Sequence, residues 1–579
     1  MGVKGLWSVL QPAAESKSVA QLAMHAFEAN TYGYRGYRVG IDVSVWLGHM
    51  KVFDGTPLRV EQLGLQMLFF RCARLLAMPI LPLFVFDGLK RPAHKRGKTT
   101  HYTTPRIEGH AQNIISSFGF EWRKAPGEAE ADLAWLNSMG LIDAVWTDDG
   151  DAFLFGATTV MRNPGRNLSS NIRSPALTME GKQNENQVHV FHAEDLIDNE
   201  NIRLDRNGLI LVALLRGGDY HEGIDGVGMT IAHALARAGF GDTLAAAMQS
   251  PDVETLAGVI SQWRSELVQE LRTDSQGHLG RRHPALAASI PLDFPDLDVY
   301  NAYANPVVSN LGTVAINWYR LPNLTGLAQA CERHFEWGSQ TEILERFRSL
   351  VWQGAVCRAL RQQTLKDDGK GDYLQPGTPN IGNLVVRLHG ERSHHSTGGL
   401  RELRVEIGPG ELAQATRRGT SYQRIPTAEY THGKVHIPPD TPLRIWLPAA
   451  LIHAAMPELV HAFNAAQDAK QLQKGKKRVA HNESTESSAS DDVAPPRKAA
   501  RTATRSLTDG RLVHNKRPSP RNAAASSNSG TPGDVIIISS GEDDIEPGPA
   551  LRARATGSAA KLTRNQDSDV IIIASSDDE

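Results

Sequence analysis

Cysteine is scarce in this chain of 579 residues, whose three cysteines are Cys72, Cys331 and Cys357. That number and spacing exclude a disulfide framework and a zinc site of the Cys-x-x-Cys kind, and they favour a reducing compartment. Residues 1–20 lack the apolar core of a signal peptide, and no stretch of about 18 uninterrupted apolar residues occurs. We therefore expect a soluble, intracellular protein with no membrane partner.

An excess of charge is also lacking, because 62 Lys and Arg stand against 64 Asp and Glu. A balanced total neither supports nor excludes a nucleic-acid partner, so the distribution of basic residues must decide. Phe, Trp and Tyr are absent from Lys470 to Glu579, where Ser, Ala, Pro, Gly and charged residues dominate. Such a composition does not support a packed core, and we predict a disordered regulatory tail over residues 468–579.

Three apolar runs, residues 38–42, 83–87 and 144–148, each end in an aspartate. They alternate with longer amphipathic stretches, which is the pattern of an α/β domain with a central, mostly parallel sheet flanked by helices. The carboxyl ends of the strands in such a sheet line one ligand crevice. We therefore predict that the three aspartates face a single shared site.

Further acids lie in three short motifs. Residues 126–132 would open a helix at a Pro-Gly pair, with Glu128 and Glu130 in its first turn. Residues 147–156 place three carboxylates within four positions, and Asp219 follows an apolar stretch. Taken alone, each acid usually caps a turn or lies on a solvated helix face. Their combination is harder to explain in that way.

The chemistry that suits so many carboxylates is phosphodiester cleavage. This reaction requires a deprotonated water and charge neutralisation on the phosphate, which two divalent ions about 3.5 to 4 Å apart supply together. Magnesium prefers carboxylate oxygens, keeps several waters and takes few protein ligands. A two-metal nuclease therefore needs several Asp and Glu and no His or Cys.

The motifs resemble those of the flap endonuclease/XPG nuclease family, in the family's order and over roughly residues 1 to 340. They are Met1-Gly-Val-Lys-Gly-Leu-Trp7, Asp42 in Ile-Asp-Val-Ser-Val-Trp, Phe86-Asp87-Gly88, Pro126-Gly-Glu-Ala-Glu-Ala, Asp149-Gly-Asp151 and Gly218-Asp219-Tyr220. The resemblance implies two Mg²⁺ ions, replaceable by Mn²⁺, and products with 5′-phosphate and 3′-hydroxyl ends. The implied metal ligands, which are also the catalytic residues, are Asp42, Asp87, Glu128, Glu130, Asp149, Asp151 and Asp219. Asp148 is an ambiguous neighbour, which we place outside the ligand set.

Residues 223–236 resemble the family's helix-turn-helix element, which grips duplex DNA, and they belong to a predicted helical region over 206–365. The glycines let backbone amides and a helix N-terminus approach phosphate closely, which gives binding without base readout. The resemblance also implies a K⁺ ion in the hairpin around Gly223 to Val227.

The insertion between the second and third acids is short, because only residues 88–127 separate them. We predict a short basic arch over 98–124, between two parts of the nuclease domain at 1–97 and 125–205. From Lys90 to Arg106 the chain carries six Lys or Arg and no acid, which beside a metal site favours phosphate contacts. The predicted DNA-contacting residues are Gly2, Lys4, Lys95, Arg96, Lys98, Gly226 and Gly228.

A polar, glycine-rich stretch over 366–378 predicts a linker. Beyond it, strand-like runs and a helical pattern from Pro448 to about Gln467 predict a small β-plus-helix module over 379–467. The short insertion, the Asp42-x-Ser-x-Trp46 variant and this module resemble the Holliday junction resolvase branch of the family in eukaryotes, whose added module is a chromodomain. Because we find no aromatic cage for methyl-lysine, we favour a DNA-contacting role for the module.

The tail carries two near-copies of one motif, β-branched residues followed by acids, which resemble SUMO-interacting motifs. Such a segment can add a strand to an exposed sheet edge, although a chance or aggregation-prone apolar patch is the alternative. The predicted SUMO-binding residues are Val535, Ile536, Ile537, Ile538, Val570, Ile571, Ile572 and Ile573. Basic runs at 474–478 and 497–501 suit nuclear import, so we predict a nuclear protein.

We predict a magnesium-dependent endonuclease that resolves four-way Holliday junctions in recombination and DNA repair. It would be a monomer in solution and a homodimer on the junction, with one nick per subunit. A 5′-flap endonuclease with the same metals is one alternative. A catalytically silent junction-binding scaffold recruited by SUMO is another, and the complete acid set argues against it, because clustered carboxylates repel each other without metals.

Overall fold

The structure is a computed structural model that describes residues 2–48, 57–92, 94–95, 98–99, 105–162, 186–250, 252–335, 337, 339–373, 381–420 and 438–486. All of these residues belong to one unit. The statements that follow concern this part of the chain.

A seven-stranded sheet organises residues 15–192. Its strands are β1 (Glu15–Ser18), β2 (Tyr37–Asp42), β3 (Ile80–Phe86), β6 (Glu121–Lys124), β7 (Ala144–Trp146), β8 (Thr159–Arg162) and β9 (Gln187–His192), in the order β1-β9-β8-β7-β2-β3-β6. A separate hairpin pairs β4 (His94–Lys95) with β5 (Lys98–Thr99). The five strands from β8 to β6 are parallel, whereas β9 and β1 join antiparallel. The predicted central, mostly parallel sheet is confirmed.

Helices cover both faces of this sheet. The alternation along β3 explains why: Phe84 and Phe86 join one apolar cluster, whereas Leu83 and Val85 join the other. A strand that is apolar on both sides must be covered on both sides. The helices that follow one another to residue 365 are α1 (Leu6–Leu10), α2 (Val19–Ala29), α3 (Val43–Gly48), α4 (Pro57–Leu76), α5 (Pro105–Ser117), α6 (Ala129–Ser138), α7 (Asp151–Leu154), α8 (Ala193–Asp198), α9 (Arg206–Arg216), α10 (Met229–Arg237), α11 (Phe240–Ala247), α12 (Val253–Thr273), α13 (Pro284–Ser289), α14 (Leu297–Ala304), α15 (Leu324–His334), α16 (Gln340–Leu350) and α17 (Trp352–Leu365).

The arch predicted over residues 98–124 is shorter than expected. Helix α5 buries Ala111, Ile114 and Ile115 in the main core, and β6 is an edge strand of the large sheet. Residues 105–124 therefore pack with the large sheet and do not form part of an arch.

The segment predicted as a linker also differs. Residues 366–370 form a π-helical turn directly after α17, and residues 371–373 form a 3₁₀ turn. Arg35 holds this segment to the loop before β2, since its Nε atom lies 2.7 Å from Asp368 Oδ2. At least this first half of the predicted linker is a continuation of α17.

The predicted C-terminal module is a three-stranded antiparallel sheet with helices, β10 (Val385–Ser393), β11 (Arg401–Ile407) and β12 (Leu443–Pro448), with α18 (Ile381–Leu384), α19 (Gly410–Arg418), α20 (Ala449–Ala455) and α21 (Pro457–Glu486). Strand β12 and helix α19 were not predicted. The helix predicted from Pro448 to about Gln467 is divided at Met456 into two helices. Buried Leu403, Leu447 and Leu451 share one core cluster with Trp352 of α17, so the module has no separate core.

The predicted start of the disordered tail at residue 468 is also wrong, because α21 continues to Glu486. The two SUMO-binding segments lie outside the described residues. The three cysteines are free thiols and fully buried. No helix among those described is both long enough and apolar enough to span a membrane.

Candidate metal-dependent active site

The carboxyl edge of the large sheet carries the first two predicted acids. Asp42 is the last residue of β2 and is 7% exposed, and Asp87 comes directly after β3. The two strands are parallel neighbours, with Asp42 opposite Val85. The Oδ1 atom of Asp42 accepts the Ser44 amide at 2.7 Å. Both aspartates therefore lie at the same edge, as the strand-end pattern predicted.

Helix α6 brings its glutamates to this edge. Glu128 is the N-cap residue in extended conformation and Glu130 is in the first turn, so only Glu130 is inside the helix. The backbone amide of Ala129 donates to Asp87 Oδ1 at 3.0 Å, which joins the start of α6 to the end of β3. Asp87 therefore satisfies an amide of a helix start that has no internal partner.

Asp149, Asp151 and Asp219 converge on the N-terminal segment. The amide of Gly2 donates to Asp219 Oδ1 at 2.9 Å, and the amide of Val3 donates to Asp151 Oδ1 at 3.0 Å. A Cβ atom on Gly2 would collide with Asp149 Oδ1 and would lie 2.5 Å from Asp151 Oδ1. Gly2 also has a φ of 69°, which favours glycine. Both the lack of space for a Cβ atom and the backbone conformation therefore require glycine at this position.

Two tyrosines connect these acids to each other. The Tyr220 hydroxyl donates to Glu128 Oε2. The Tyr303 hydroxyl accepts the Asp219 amide at 3.0 Å and donates to Asp151 Oδ2 at 3.3 Å. Burial and the surrounding carboxylates raise the pKa of both phenols well above the ordinary value of 10, so both remain neutral donors. The two tyrosines therefore connect Glu128, Asp151 and Asp219, which belong to three different chain segments.

Arginines accompany two of the acids. Arg91 Nη1 lies 2.7 Å from Asp87 Oδ2. Arg162 Nε lies 3.4 Å from Asp148 Oδ1, and burial lowers the pKa of Arg162. The backbone carbonyl of Asp148 accepts from Trp7 Nε1 at 2.8 Å. Asp148 is thus oriented by groups other than those that hold Asp149 and Asp151.

The donor set fits a hard divalent ion. It consists of carboxylate oxygens, the ligands that Mg²⁺ prefers, and the space above Asp149 and Asp151 is kept free of any Cβ atom by Gly2. In the part of the chain that the structure describes, no three His, Cys, Asp or Glu side chains are close enough together to hold a metal ion as they stand. An open arrangement is compatible with Mg²⁺, which keeps several waters and binds few protein ligands.

The last acid, Asp219, lies in the turn between the two helices α9 and α10. Helix α9 ends at Arg216, and the loop to α10 includes Gly226, whose φ of 83° favours glycine. Gly228 is the N-cap of α10 and provides no capping side chain, and a Cβ atom there would meet no atom within 4 Å. The first amides of α10 therefore have an open approach of the kind that binds phosphate.

The structure describes only some of the remaining residues that were predicted to contact DNA. Lys4 is exposed near Gly2, whereas Gly2 itself faces the acids. Strands β4 and β5 place the backbones of Lys95 and Lys98, but the side chains of Lys95, Arg96 and Lys98 lie outside the described residues. Their contacts stay predictions.

Sequence reasoning missed Tyr220, Tyr303 and Arg91 as partners of the acids. Tyr220 stands in the quoted Gly-Asp-Tyr motif, so its position beside Asp219 was a usable signal. Tyr303 and Asp219 are 84 residues apart in sequence, so no local sequence pattern predicts their contact.

The structure places an acid-lined sheet edge next to a helix start whose amides are open to phosphate. Family comparison agrees, because residues 1–108 match the XPG N-terminal domain and residues 119–219 match the XPG I-region. Over these two regions the chain is similar to the XPG family.

Relatives point to one branch of that family. Flap endonuclease GEN homolog 1 of Mus musculus is 29% identical over 248 residues, which are 39% of this chain and 24% of the mouse protein. A crystal structure of the Holliday junction-resolving enzyme GEN1 with product DNA and Mg²⁺ superimposes with a TM-score of 0.60 at 27% identity, and covers 81% of this chain and 100% of that one. A GEN-1 structure with potassium gives a TM-score of 0.59 at 27% identity, with the same coverage. The chain spans about a quarter of the length of the mouse relative that it matches.

Proposed function

We propose that this chain is a magnesium-dependent, structure-specific endonuclease that resolves four-way Holliday junctions in recombination and DNA repair. It makes paired nicks that leave 5′-phosphate and 3′-hydroxyl ends. The observation that carries the proposal is the set of contacts between acid-bearing segments, with Asp87 bonded to the start of α6 and Tyr303 bonded to both Asp151 and Asp219.

Each acid has a role in this proposal. Two Mg²⁺ or Mn²⁺ ions are held by the set Asp42, Asp87, Glu128, Glu130, Asp149, Asp151 and Asp219. When bound, the ions neutralise the phosphate and lower the pKa of the attacking water. Backbone amides and two neutral phenols donate hydrogen bonds to the carboxylates. These donors offset the repulsion between the carboxylates before substrate binds.

The helix-turn-helix holds a duplex arm of the substrate. Open amides at the start of α10 suit a phosphate, and the loop around Gly223 to Val227 suits a K⁺ ion between protein and DNA. The potassium in the related GEN-1 structure supports this assignment. Such contacts read the shape of the duplex and not its sequence.

The short insertion favours four-way junctions over flaps. Because α5 belongs to the core, only residues 92–104 remain between the loop after Asp87 and Pro105. A long arch suits a free 5′ end that passes beneath it, whereas a junction has no free end near its branch point. The flap endonuclease stays the second candidate, since the mouse relative carries that name.

Partners follow from the same proposal. The substrate is branched DNA, bound by a homodimer that forms on the junction from subunits that are monomeric in solution. The β10–β12 module is a chromodomain-like element that contacts DNA. The tail binds SUMO or sumoylated proteins through its two β-branched motifs, and the basic runs at 474–478 and 497–501 direct the protein to the nucleus.

One experiment distinguishes the three candidate functions, which are a junction resolvase, a flap endonuclease and a non-catalytic scaffold. Labelled intact four-way junction, nicked junction and 5′-flap DNA are incubated with the protein in Mg²⁺ or in EDTA, and the products are tested for religation. Symmetric nicks on the intact junction that a ligase can reseal support the resolvase. Cleavage of the flap without paired nicks on the intact junction supports the flap endonuclease, and binding without cleavage of any substrate supports the scaffold.

A further inference from the structure

A segment beyond both XPG regions crosses the acid site. Residues 303–309 begin in the last turn of α14 and continue into the loop after it, and three of them contact three different acid-bearing elements. We propose that this segment, the 303–309 strap, positions the acids for metal binding, with Tyr303 as its principal positioning residue. The inference rests on the proposed function.

The Tyr303 hydroxyl is the first of these contacts. The hydroxyl oxygen accepts a hydrogen bond from the Asp219 amide at 3.0 Å. Its O–H group donates a hydrogen bond to Asp151 Oδ2 at 3.3 Å. The ring is fully buried against Tyr220, at 4.7 Å between ring centroids. Gly218 makes this approach possible, because a Cβ atom there would collide with the hydroxyl. One phenol therefore fixes the relative positions of two acids that are 68 residues apart in sequence.

The other end of the strap holds the start of α6. The Ser309 amide donates to Asp132 Oδ1 at 2.8 Å, and the Ser309 hydroxyl accepts from Arg123 Nη2 at 2.7 Å. Asp132 is completely buried in the first turns of α6, four residues after Glu128. Between the two ends, the carbonyl of Val307 lies close enough to Gly127 that a Cβ atom there would approach it to 2.7 Å.

The strap is itself anchored. Arg206, at the start of α9, donates from Nη2 to the carbonyls of Tyr303 and Ala304, each at 2.9 Å, and from Nε to the carbonyl of Leu154 at 2.8 Å. Leu154 ends α7, the short helix that begins at Asp151. The same guanidinium therefore fixes the strap and the helix that carries one of its acids.

Removing the Tyr303 hydroxyl should weaken metal binding without unfolding the protein. Groups that orient metal ligands typically change metal affinity 10- to 100-fold when they are lost. We expect Tyr303→Phe to bind Mn²⁺ about ten-fold more weakly and to need about ten-fold more Mg²⁺ for half-maximal cleavage. Tyr300→Phe is the matched control, because Tyr300 is also a buried tyrosine of α14 and has no hydrogen bond to an acid among the described contacts.

The test uses the full chain in three forms: wild type, Tyr303→Phe and Tyr300→Phe. Mn²⁺ binding without DNA is measured by calorimetry, thermal unfolding is measured in EDTA, and junction cleavage is measured over a range of Mg²⁺ concentrations. Weaker Mn²⁺ binding by Tyr303→Phe alone, with a folded protein in EDTA, supports the strap.

The experiment distinguishes an error in the strap inference from an error in the proposed nuclease function. If wild type cleaves junctions but Tyr303→Phe has the wild-type Mn²⁺ affinity and Mg²⁺ dependence, the strap inference is overturned and the nuclease stands. Equal weakening in Tyr300→Phe also overturns it. If wild type cleaves nothing while only Tyr303→Phe loses Mn²⁺ affinity, the strap stands and the nuclease does not.

Discussion

Arg91 forms an ion pair with Asp87, with 2.7 Å between Nη1 and Oδ2, and the two side chains are only 10% and 22% exposed. The other oxygen of Asp87 accepts the Ala129 amide. In the proposed function Asp87 is a metal ligand, so the guanidinium and the ion compete for one carboxylate.

Replacing Arg91 should therefore strengthen metal binding in the absence of DNA. A partly buried ion pair of this kind contributes up to about 1 kcal/mol, which corresponds to roughly five-fold in affinity. We expect Arg91→Gln to bind Mn²⁺ about two- to five-fold more tightly than wild type, as measured by calorimetry.

Arg401→Gln is the control for this prediction. Arg401 pairs with Glu391 at 2.6 Å on the C-terminal module, where both side chains are exposed. Its loss should leave the Mn²⁺ affinity unchanged. An Arg91→Gln variant that binds Mn²⁺ more weakly than wild type would show that the arginine supports the site and does not compete for it.

The helix-turn-helix gives a second prediction. Gly228 has ordinary extended backbone angles and open surroundings, so Gly228→Val should lower the free energy of unfolding by only about 1 kcal/mol, the cost of a poor N-cap residue. The added side chain would obstruct a phosphate at the start of α10. Losing one charged hydrogen bond of about 1.5 kcal/mol weakens binding of duplex arms roughly ten-fold.

Gly258→Val is the matched substitution, because Gly258 of α12 also has open surroundings. Fluorescence anisotropy with a labelled duplex compares the two variants at equal salt. The hairpin would lose its assigned role if both variants bound duplex with the same affinity.

The buried thiol of Cys357 predicts a pH dependence of stability. Burial raises its pKa from 9.0 to about 11. The unfolded thiol ionises above pH 9 while the folded thiol stays neutral, so its contribution is complete below pH 9 and is lost as the pH rises towards 11. Between pH 8 and pH 10 this one group should lower the free energy of unfolding by about 1 kcal/mol.

Urea unfolding of wild type and Cys357→Ala at pH 8 and pH 10 measures this loss. The variant begins less stable, because it leaves a cavity, but it should lose about 1 kcal/mol less over the same interval. The other two buried thiols are present in both proteins and cancel in the comparison. An identical loss in the two proteins would contradict the raised pKa.

Local patterns account for the parts of the site that the sequence predicted. Asp42 and Asp87 end apolar strands, and the Pro-Gly pair before Glu128 marks a helix start, so short windows were enough to place them. The same reasoning failed for residues 105–117. Their buried face, from Ile107 to Ile115, is a helical pattern that the basic charges around it concealed.

Other features depend on contacts between distant residues. The predicted linker continues α17 because Asp368 meets Arg35, 333 residues away. The C-terminal module shares its core with Trp352, which no composition shift indicates. Tyr303 reaches the acids only after the whole helical region has folded back onto the sheet edge. Periodicity carries no information about such contacts.

The neighbouring pair Asp148 and Asp149 tests the central claim most directly. Asp148 pairs with Arg162, whereas Asp149 lies with Asp151 beneath Gly2. Wild type, Asp148→Asn and Asp149→Asn are incubated with an intact four-way junction in Mg²⁺ and in EDTA, after circular dichroism has shown that all are folded. The account predicts Mg²⁺-dependent nicks from wild type and Asp148→Asn, and a loss of at least roughly 100-fold for Asp149→Asn. Wild-type cleavage that persists in EDTA, or an Asp149→Asn variant as active as wild type, would contradict it.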